Sequence, residues 1–346
     1  MAGKLISGAA VPRDGGSGHD GAWPSNRPTS QPRSRNRGKL FIPTGVILVL
    51  LAAGCGGSSA PQPIPWQQCS GERAYEHVAK LVAYGPRPSG SEALGRAASY
   101  ITAQLHDSGL TADEEVFAAP TPYGEKRFCN IIARTRVQRG GPDRVILIAS
   151  HYDTKLFTNV TFVGANDGGS STGTLLEIAR VAADQPNLWF VFFDGEEAMV
   201  QYSDTDGLWG SKFFVHGLQS RDQVKEIKAM ILLDMVGDKN LKITVVGTLG
   251  QQVFEAARAA GFRDYFSYGA NALLDDHLPF ERAGIPAVDL IDADLINFHY
   301  GNPPGPREYW HTERDTLDKI APRSLEIVGQ TTLRLIELLE NQPAGH

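Results

Sequence analysis

Cysteine is scarce in this chain: three residues in 346, at positions 55, 69 and 129. That excludes a fold stapled by several disulfides, and none of the three has a neighbouring cysteine with which to hold a metal through thiolates. Cys69 and Cys129 leave one disulfide and two separate thiols equally open, because sequence says nothing about the distance between their Cα atoms. Positive charge is also short. Thirty-three Lys and Arg stand against 39 Asp and Glu, a net charge of −6, so nothing points to a nucleic-acid partner. The apolar stretch from Leu40 to Ala53 falls short of a comfortable membrane span. There is no internal repeat and no sign of a second folded domain.

The first 65 residues differ from the rest. Residues 1–39 are rich in Gly, Ser, Pro, Asn and Arg and read as a disordered arm. Residues 40–55 read as an export signal: the basic run Arg33 to Lys39, then the apolar stretch, then small residues. The ending Leu51-Ala-Ala-Gly-Cys55 resembles a bacterial lipobox, which would make Cys55 the lipidated mature N-terminus. The other reading of the segment is an uncleaved anchor. A long arm ahead of such a signal is unusual, and a start codon placed too early accounts for it. Residues 56–68 are a linker, flexible over its Gly-, Ser- and Pro-rich part. The expected address is therefore the periplasm or the cell surface, with membrane contact through a lipid on Cys55 only.

Residues 69–342 read as one α/β catalytic domain. Helical spacing of apolar residues marks Glu72 to Tyr84, Ser91 to Ser108, Thr172 to Ala183, Gln251 to Ala260, His277 to Ala283 and Pro322 to Glu340, and a helix starts at Gly210. Continuous apolar runs mark strands at Arg144 to Ser150, Leu188 to Phe193, Ala229 to Leu233 and Ala287 to Ile291, with further strands at Val116-Phe117, Phe128 to Arg136 and Lys242 to Val246. The alternation predicts a mixed, mostly parallel central sheet with helices on both faces. Three of the apolar runs end directly on polar clusters, where open α/β sheets bind ligands.

Those clusters carry the chemistry. His151-Tyr-Asp153, Asn166-Asp167, Asp194-Gly-Glu196-Glu197, Leu233-Asp234-Met235 and Trp310-His311-Thr312 spread over about 160 residues, as a metal site assembled from strand-end loops does. Zinc takes imidazole nitrogen and carboxylate oxygen and keeps one position open in catalysis. Each residue also has a plain reading alone: Asp167 as a helix cap or turn, the Glu pair as a solvated loop, His311 as a packed side chain. Two adjacent Glu after a buried strand are costly unless a cation or hydrogen bonds compensate them. One Glu to bind and one to move protons is the arrangement this suggests.

Ser150-His-Tyr-Asp-Thr-Lys155, Phe162-Val-Gly-Ala-Asn-Asp167, Phe193-Asp-Gly-Glu-Glu-Ala198, Asp206-Gly-Leu-Trp-Gly-Ser211, Leu232-Leu-Asp-Met-Val-Gly237, Asp275-Asp-His-Leu-Pro-Phe280 and Trp310-His-Thr312 together resemble the animal-type glutaminyl-peptide cyclotransferases (glutaminyl cyclases). These share a superfamily and a fold with the zinc aminopeptidases. The resemblance runs in order from about residue 72 to 340. It implies zinc ligands Asp167, Glu197 and His311, and Glu196 as general acid/base. It implies that Asp234 and Asp275 hydrogen-bond near the reacting groups, and that Trp310 and Tyr202 line the substrate pocket. His151 and Asp234, with Asp167 bridging, match the ligands of a second metal in the aminopeptidase branch. One zinc is implied for a cyclase, two for an aminopeptidase.

Asp194-Gly before the Glu pair, the long link Met199 to Asp206, and the doublet Asp275-Asp276 are similar to the cyclase branch. Tyr202 stands where cyclases have Trp, and residues 292–309 make a longer loop than theirs. The leading expectation is cyclisation of N-terminal Gln on peptides or proteins, with release of ammonia, by a monomer. The alternatives are a two-zinc aminopeptidase and a non-catalytic peptide-binding lipoprotein.

Overall fold

In the computed structural model, which describes residues 63–137, 144–269, 273–297 and 307–342, the chain begins with two helices. Ser70 and Ser91 set their starts. Each side chain accepts a backbone N–H three residues on, from Arg73 and Leu94, and so satisfies a donor that the first turn leaves over. These helices are α1 (Gly71–Val82) and α2 (Glu92–Asp107). A hairpin follows, β1 (Thr111–Thr121) and β2 (Gly124–Arg134). Then come β3 (Val145–His151), α3 (Gly169–Val181), β4 (Leu188–Phe193), α4 (Trp209–Ser220), β5 (Ile227–Asp234), β6 (Ile243–Gly247) and α5 (Gly250–Ala260). The chain continues through β7 (Phe266–Tyr268), α6 (His277–Arg282), β8 (Ala287–Ile291) and α7 (Asp294–Asn297) to α8 (Pro322–Asn341).

The strands form one sheet in the order β1-β2-β4-β3-β5-β8-β6-β7. Its centre, β4-β3-β5-β8, is parallel; β1, β2 and the β6–β8 pairing are antiparallel. Alternation along the central strands divides the core. Ile146 and Ile148 of β3, with Ile231 of β5, pack against Val78, Ile178 and Val328 of α1, α3 and α8. Leu147 and Ala149, with Leu232, pack against Phe214 of α4 and Phe280 of α6 on the opposite face. Strands covered on both faces must be apolar at every position, which is why their sequences show no alternation.

The carboxyl ends of β3, β4 and β5 lie side by side, with His151 opposite Phe193 in register. The polar clusters therefore meet at one edge of the sheet.

The hairpin is longer than its sequence suggests. β1 runs for 11 residues, but only Phe117 in it is buried, so its pattern carries little hydrophobic signal beyond Val116-Phe117. β2 begins at Gly124, ahead of the expected Phe128. The short β7 and α7 had no signal of their own. Among the described residues Cys69 and Cys129 are free thiols, the first buried in the core on the face of α1, α3 and α8. No helix among the described residues is long and apolar enough to cross a membrane. The arm, the signal segment with Cys55, most of the linker and Gly301 to Pro306 lie outside the described residues.

Candidate metal centre and active site

His151 ends β3, and the loop after it doubles back beneath α3. Gly168, at the start of α3, has φ 73° and lies so close that a Cβ there would stand 2.7 Å from the Asp153 carbonyl and 3.0 Å from His151 Cε1. Only glycine takes that conformation and that space together. Asp167 precedes it. Asp315 fixes this loop from a distance: its carboxylate accepts N–H bonds from Asn166 at 2.7 Å and Asp167 at 3.0 Å. Arg87, fully buried, donates to the carbonyls of Val163 at 2.7 Å and Gly164 at 3.1 Å and to Tyr152 at 3.3 Å. Burial pulls its guanidinium down to about 10, against the pull of Asp315, Asp153 and Asp167.

The Glu pair sits on the turn after β4. Asp153 receives it, accepting N–H bonds from Glu196 at 3.2 Å and Glu197 at 3.3 Å. Lys155 donates its backbone N–H to Glu197 Oε1 at 3.1 Å and holds its ammonium 3.7 Å from Oε2. His311 has φ 55°, a left-handed conformation that costs a non-glycine residue of order 1–3 kcal/mol and is concentrated at functional sites.

Two triads of possible ligands result. In one, Asp167, Glu197 and His311 bring ligand atoms within 4.8 Å of one another. His311 Nε2 lies 3.2 Å from Glu197 Oε1 and 3.3 Å from Asp167 Oδ2. In the other, His151 Nε2 lies 3.2 Å from both Asp167 Oδ1 and Asp234 Oδ1. Asp167 belongs to both, one oxygen facing each imidazole. Every carboxylate here is buried, and beyond the ion-pair contact with His311 no hydrogen bond reaches Asp167 Oδ2 among the described residues.

The charges show what the site wants. Burial pushes the His311 imidazole down, but Glu197 and Asp167 outweigh it and hold it at about 9. His151 is likewise raised, by Asp153, Asp167 and Asp234 against its burial. Glu196, which belongs to neither triad, is held well above the usual carboxylate range, first by burial and then by Asp275, Glu197 and Asp276, against His151. An anionic, desolvated cluster of this kind is stabilised by a cation. The donors, carboxylate oxygen and imidazole nitrogen, suit zinc.

Beside Glu196 opens a cavity of about 170 Å³, lined by Asp167, Glu196, Tyr202, Asp234, Asp275 and Trp310 among others. A loop holds Tyr202 in its wall. The Asp206 carboxylate accepts the N–H groups of Met199, Val200 and Gln201 at 2.7–2.9 Å, closing the turn. The Tyr202 hydroxyl then donates to Glu196 Oε2 at 2.9 Å and lies 3.2 Å from Glu197 Oε2. The Trp310 ring stacks on His311, centroids 3.8 Å apart.

Asp167, Glu196, Tyr202, Asp234, Asp275, Trp310 and His311 thus line one cavity, with His151 and Glu197 in the triads beside it. Reasoning from sequence missed Arg87, Asp315 and the loop-closing part of Asp206. They act on backbone groups, and the first two lie 65 or more residues from the Tyr152, Val163 and Gly164 carbonyls and the Asn166 and Asp167 N–H groups they hold, so no local pattern signals them.

A family model matches residues 130–336, that of peptidase family M28. The chain belongs to peptidase family M28. Among solved structures, this M28 protein is similar to a glutaminyl cyclase of an Acidobacteriales bacterium, 34% identical, with a TM-score of 0.71, covering 82% of this chain and 97% of that one. It is also similar to a Zn-dependent exopeptidase of Parabacteroides distasonis, 26% identical, TM-score 0.66, covering 81% of this chain and 100% of that one. Among curated proteins it is 29% identical over 257 residues to the glutaminyl-peptide cyclotransferase of Bothrops jararaca, a match spanning 62% of this chain and 66% of that protein's length. Zinc is the metal on which the family, the Zn-dependent exopeptidase and the donor set agree.

Proposed function

We propose that this protein is a zinc-dependent glutaminyl-peptide cyclotransferase, which converts N-terminal Gln of peptides or proteins to pyroglutamate. The observation that carries this reading is the 34% identity, over most of the chain, to a glutaminyl cyclase. It is joined to a Glu196 that stands outside both ligand triads and faces the cavity.

Asp167, Glu197 and His311 would hold one zinc. When bound there, zinc supplies Lewis-acid polarisation of the side-chain amide carbonyl. The cavity folds the Gln side chain back toward its own α-amine, which replaces an entropic search with a fixed geometry. The α-nitrogen bonds to the side-chain carbonyl carbon, and the bond from that carbon to the amide nitrogen breaks. Glu196 takes the proton from the attacking amine and returns it to the leaving nitrogen, which departs as ammonia. A carboxyl whose proton affinity is raised by burial suits this shuttle better than an ordinary one. Asp234 and Asp275 hydrogen-bond the reacting groups, and Tyr202 and Trp310 form the walls. No water molecule is consumed, which separates this chemistry from peptide hydrolysis.

The reading extends to the cell. Residues 40–55 act as an export signal, and lipidation of Cys55 tethers the enzyme, a monomer, to a membrane facing the periplasm or the cell exterior. The decisive assay offers the zinc-loaded protein a Gln-initiated peptide and an amino-acid anilide. The expected result is ammonia and a pyroglutamyl peptide from the first; free amine from the second without ammonia from the first would establish the aminopeptidase instead.

A further inference from the structure

Asp289 is an aspartate in the middle of a buried parallel strand. It sits on β8 opposite Leu232 of β5, with no exposed surface. Neither of its carboxyl oxygens has a hydrogen-bond partner among the described residues. A buried carboxylate left charged in that state is costly. Something must neutralise it.

The groups facing it are few. Asp234 at the end of β5, Asp275 and Asp276 before α6, and His277 on α6 surround it. The carboxylates repel a charge there. His277 Nδ1 is 3.8 Å from Asp289 Oδ2, beyond hydrogen-bond range, and burial lowers that imidazole to about 4, so it stays neutral. Asp276 Oδ1 accepts from Ser211 Oγ at 2.5 Å; its Oδ2 has no partner among the described residues, but Asp276 is not in the cluster of close ligand atoms that holds Asp289. Asp275 is the complementary group. Its Oδ1 accepts the backbone N–H of Asp276 at 2.6 Å, while its buried Oδ2 lacks a donor. Ligand atoms of Asp275, His277 and Asp289 lie within 4.8 Å of one another. One shared proton pairs Asp275 Oδ2 with one Asp289 oxygen; the other Asp289 oxygen, Asp276 Oδ2 and His277 Nδ1 keep no partner among the described residues.

We infer that Asp289 is a positioning residue: as a neutral acid it donates its O–H to Asp275 Oδ2 and so fixes the Asp275 carboxylate at the cavity wall, between Asp234 and Glu196. The burial that holds both acids well above the usual carboxylate range agrees with a shared proton. Asp275 would otherwise be anchored at one oxygen only and free to turn. The kinetic part of this inference rests on the cyclase reading. The shared proton does not.

The test uses the zinc-loaded protein with Asp289→Asn and Asp289→Leu. Asn keeps a donor toward Asp275; Leu has none. With a Gln-initiated peptide, Asp289→Leu is expected to lower kcat about tenfold or more with KM little changed, and to shift the pH profile. Asp289→Asn should restore most of that loss. Infrared spectra without substrate should contain a protonated-carboxyl band that disappears in Asp289→Asn. A folded Asp289→Leu with unaltered kcat and pH profile overturns the positioning role. Absence of that band overturns the shared proton. So does metal analysis in which Asp289→Asn loses one bound ion while the Asp167 site stays loaded, since a cation would then be the partner. If the protein turns out to cleave peptides, the band remains, so failure of the cyclase reading is distinguishable.

Discussion

Glu196 and Glu197 are adjacent, chemically identical and put to different use. The turn after β4 sends Glu197 to His311 and Lys155, and Glu196 to Tyr202 and the cavity. Asp153 makes this possible by taking both backbone N–H groups. The division predicts a clean separation of losses. Glu196→Gln should lower turnover by about 10²–10⁴-fold, the usual range for a general acid/base, while zinc content measured by atomic absorption stays at the level of the parent. His311→Ala should lose the zinc as well. Retained turnover in Glu196→Gln would remove it from the proton path. That the candidate ligands and Glu196 stand at strand ends and loops was legible in the sequence; which of them would bind a metal and which would move protons was implied only by the resemblance to the glutaminyl cyclases. Asp289 was legible in principle too, as the one charge in Ala287-Val-Asp-Leu-Ile291, but a lone Asp in an apolar run names no partner until β5 and α6 are placed beside it.

At the scale of elements, periodicity foretold the long helices and the four buried central strands. It did so because those segments are apolar on a full stripe or on both faces. It failed on β1, whose mostly exposed residues give no alternation, and on the three-residue β7. The loop Met199 to Asp206 was visible as a long link but not as a structure, since its order comes from one carboxylate capturing three successive N–H groups. Asp206→Ala leaves those groups without their acceptor, each costing about 1–3 kcal/mol where water cannot reach it. The loop should loosen and Tyr202 leave Glu196. The expected outcome is a raised KM for Gln-initiated peptides and faster amide exchange at residues 199–203, with the zinc retained. Unchanged exchange in that segment would mean the loop is held by other contacts.

For the molecule as a whole, one sheet gathers the candidate ligands from four connections, and an N-terminal segment carries the proposed address. Cys55→Ser tests that address. The parent protein, expressed in a bacterium with lipoprotein processing, should partition into detergent and carry acyl mass on its N-terminal peptide. The variant should appear in the aqueous phase without it and keep its specific activity. A variant that still fractionates with membranes would assign the anchoring to the apolar segment rather than to a lipid.

Asp167 offers one oxygen to each of two imidazoles. A carboxylate so divided cannot be retuned for one neighbour without disturbing the other, since any charge placed on one side is felt on the opposite oxygen. Divergence within such a scaffold is therefore steered away from the ligands and toward their surroundings: a captured loop, a phenol in place of an indole, an acid hidden in a strand. Ligand inventories alone would then make poor predictors of reaction type across these proteins, and the walls of the pocket good ones.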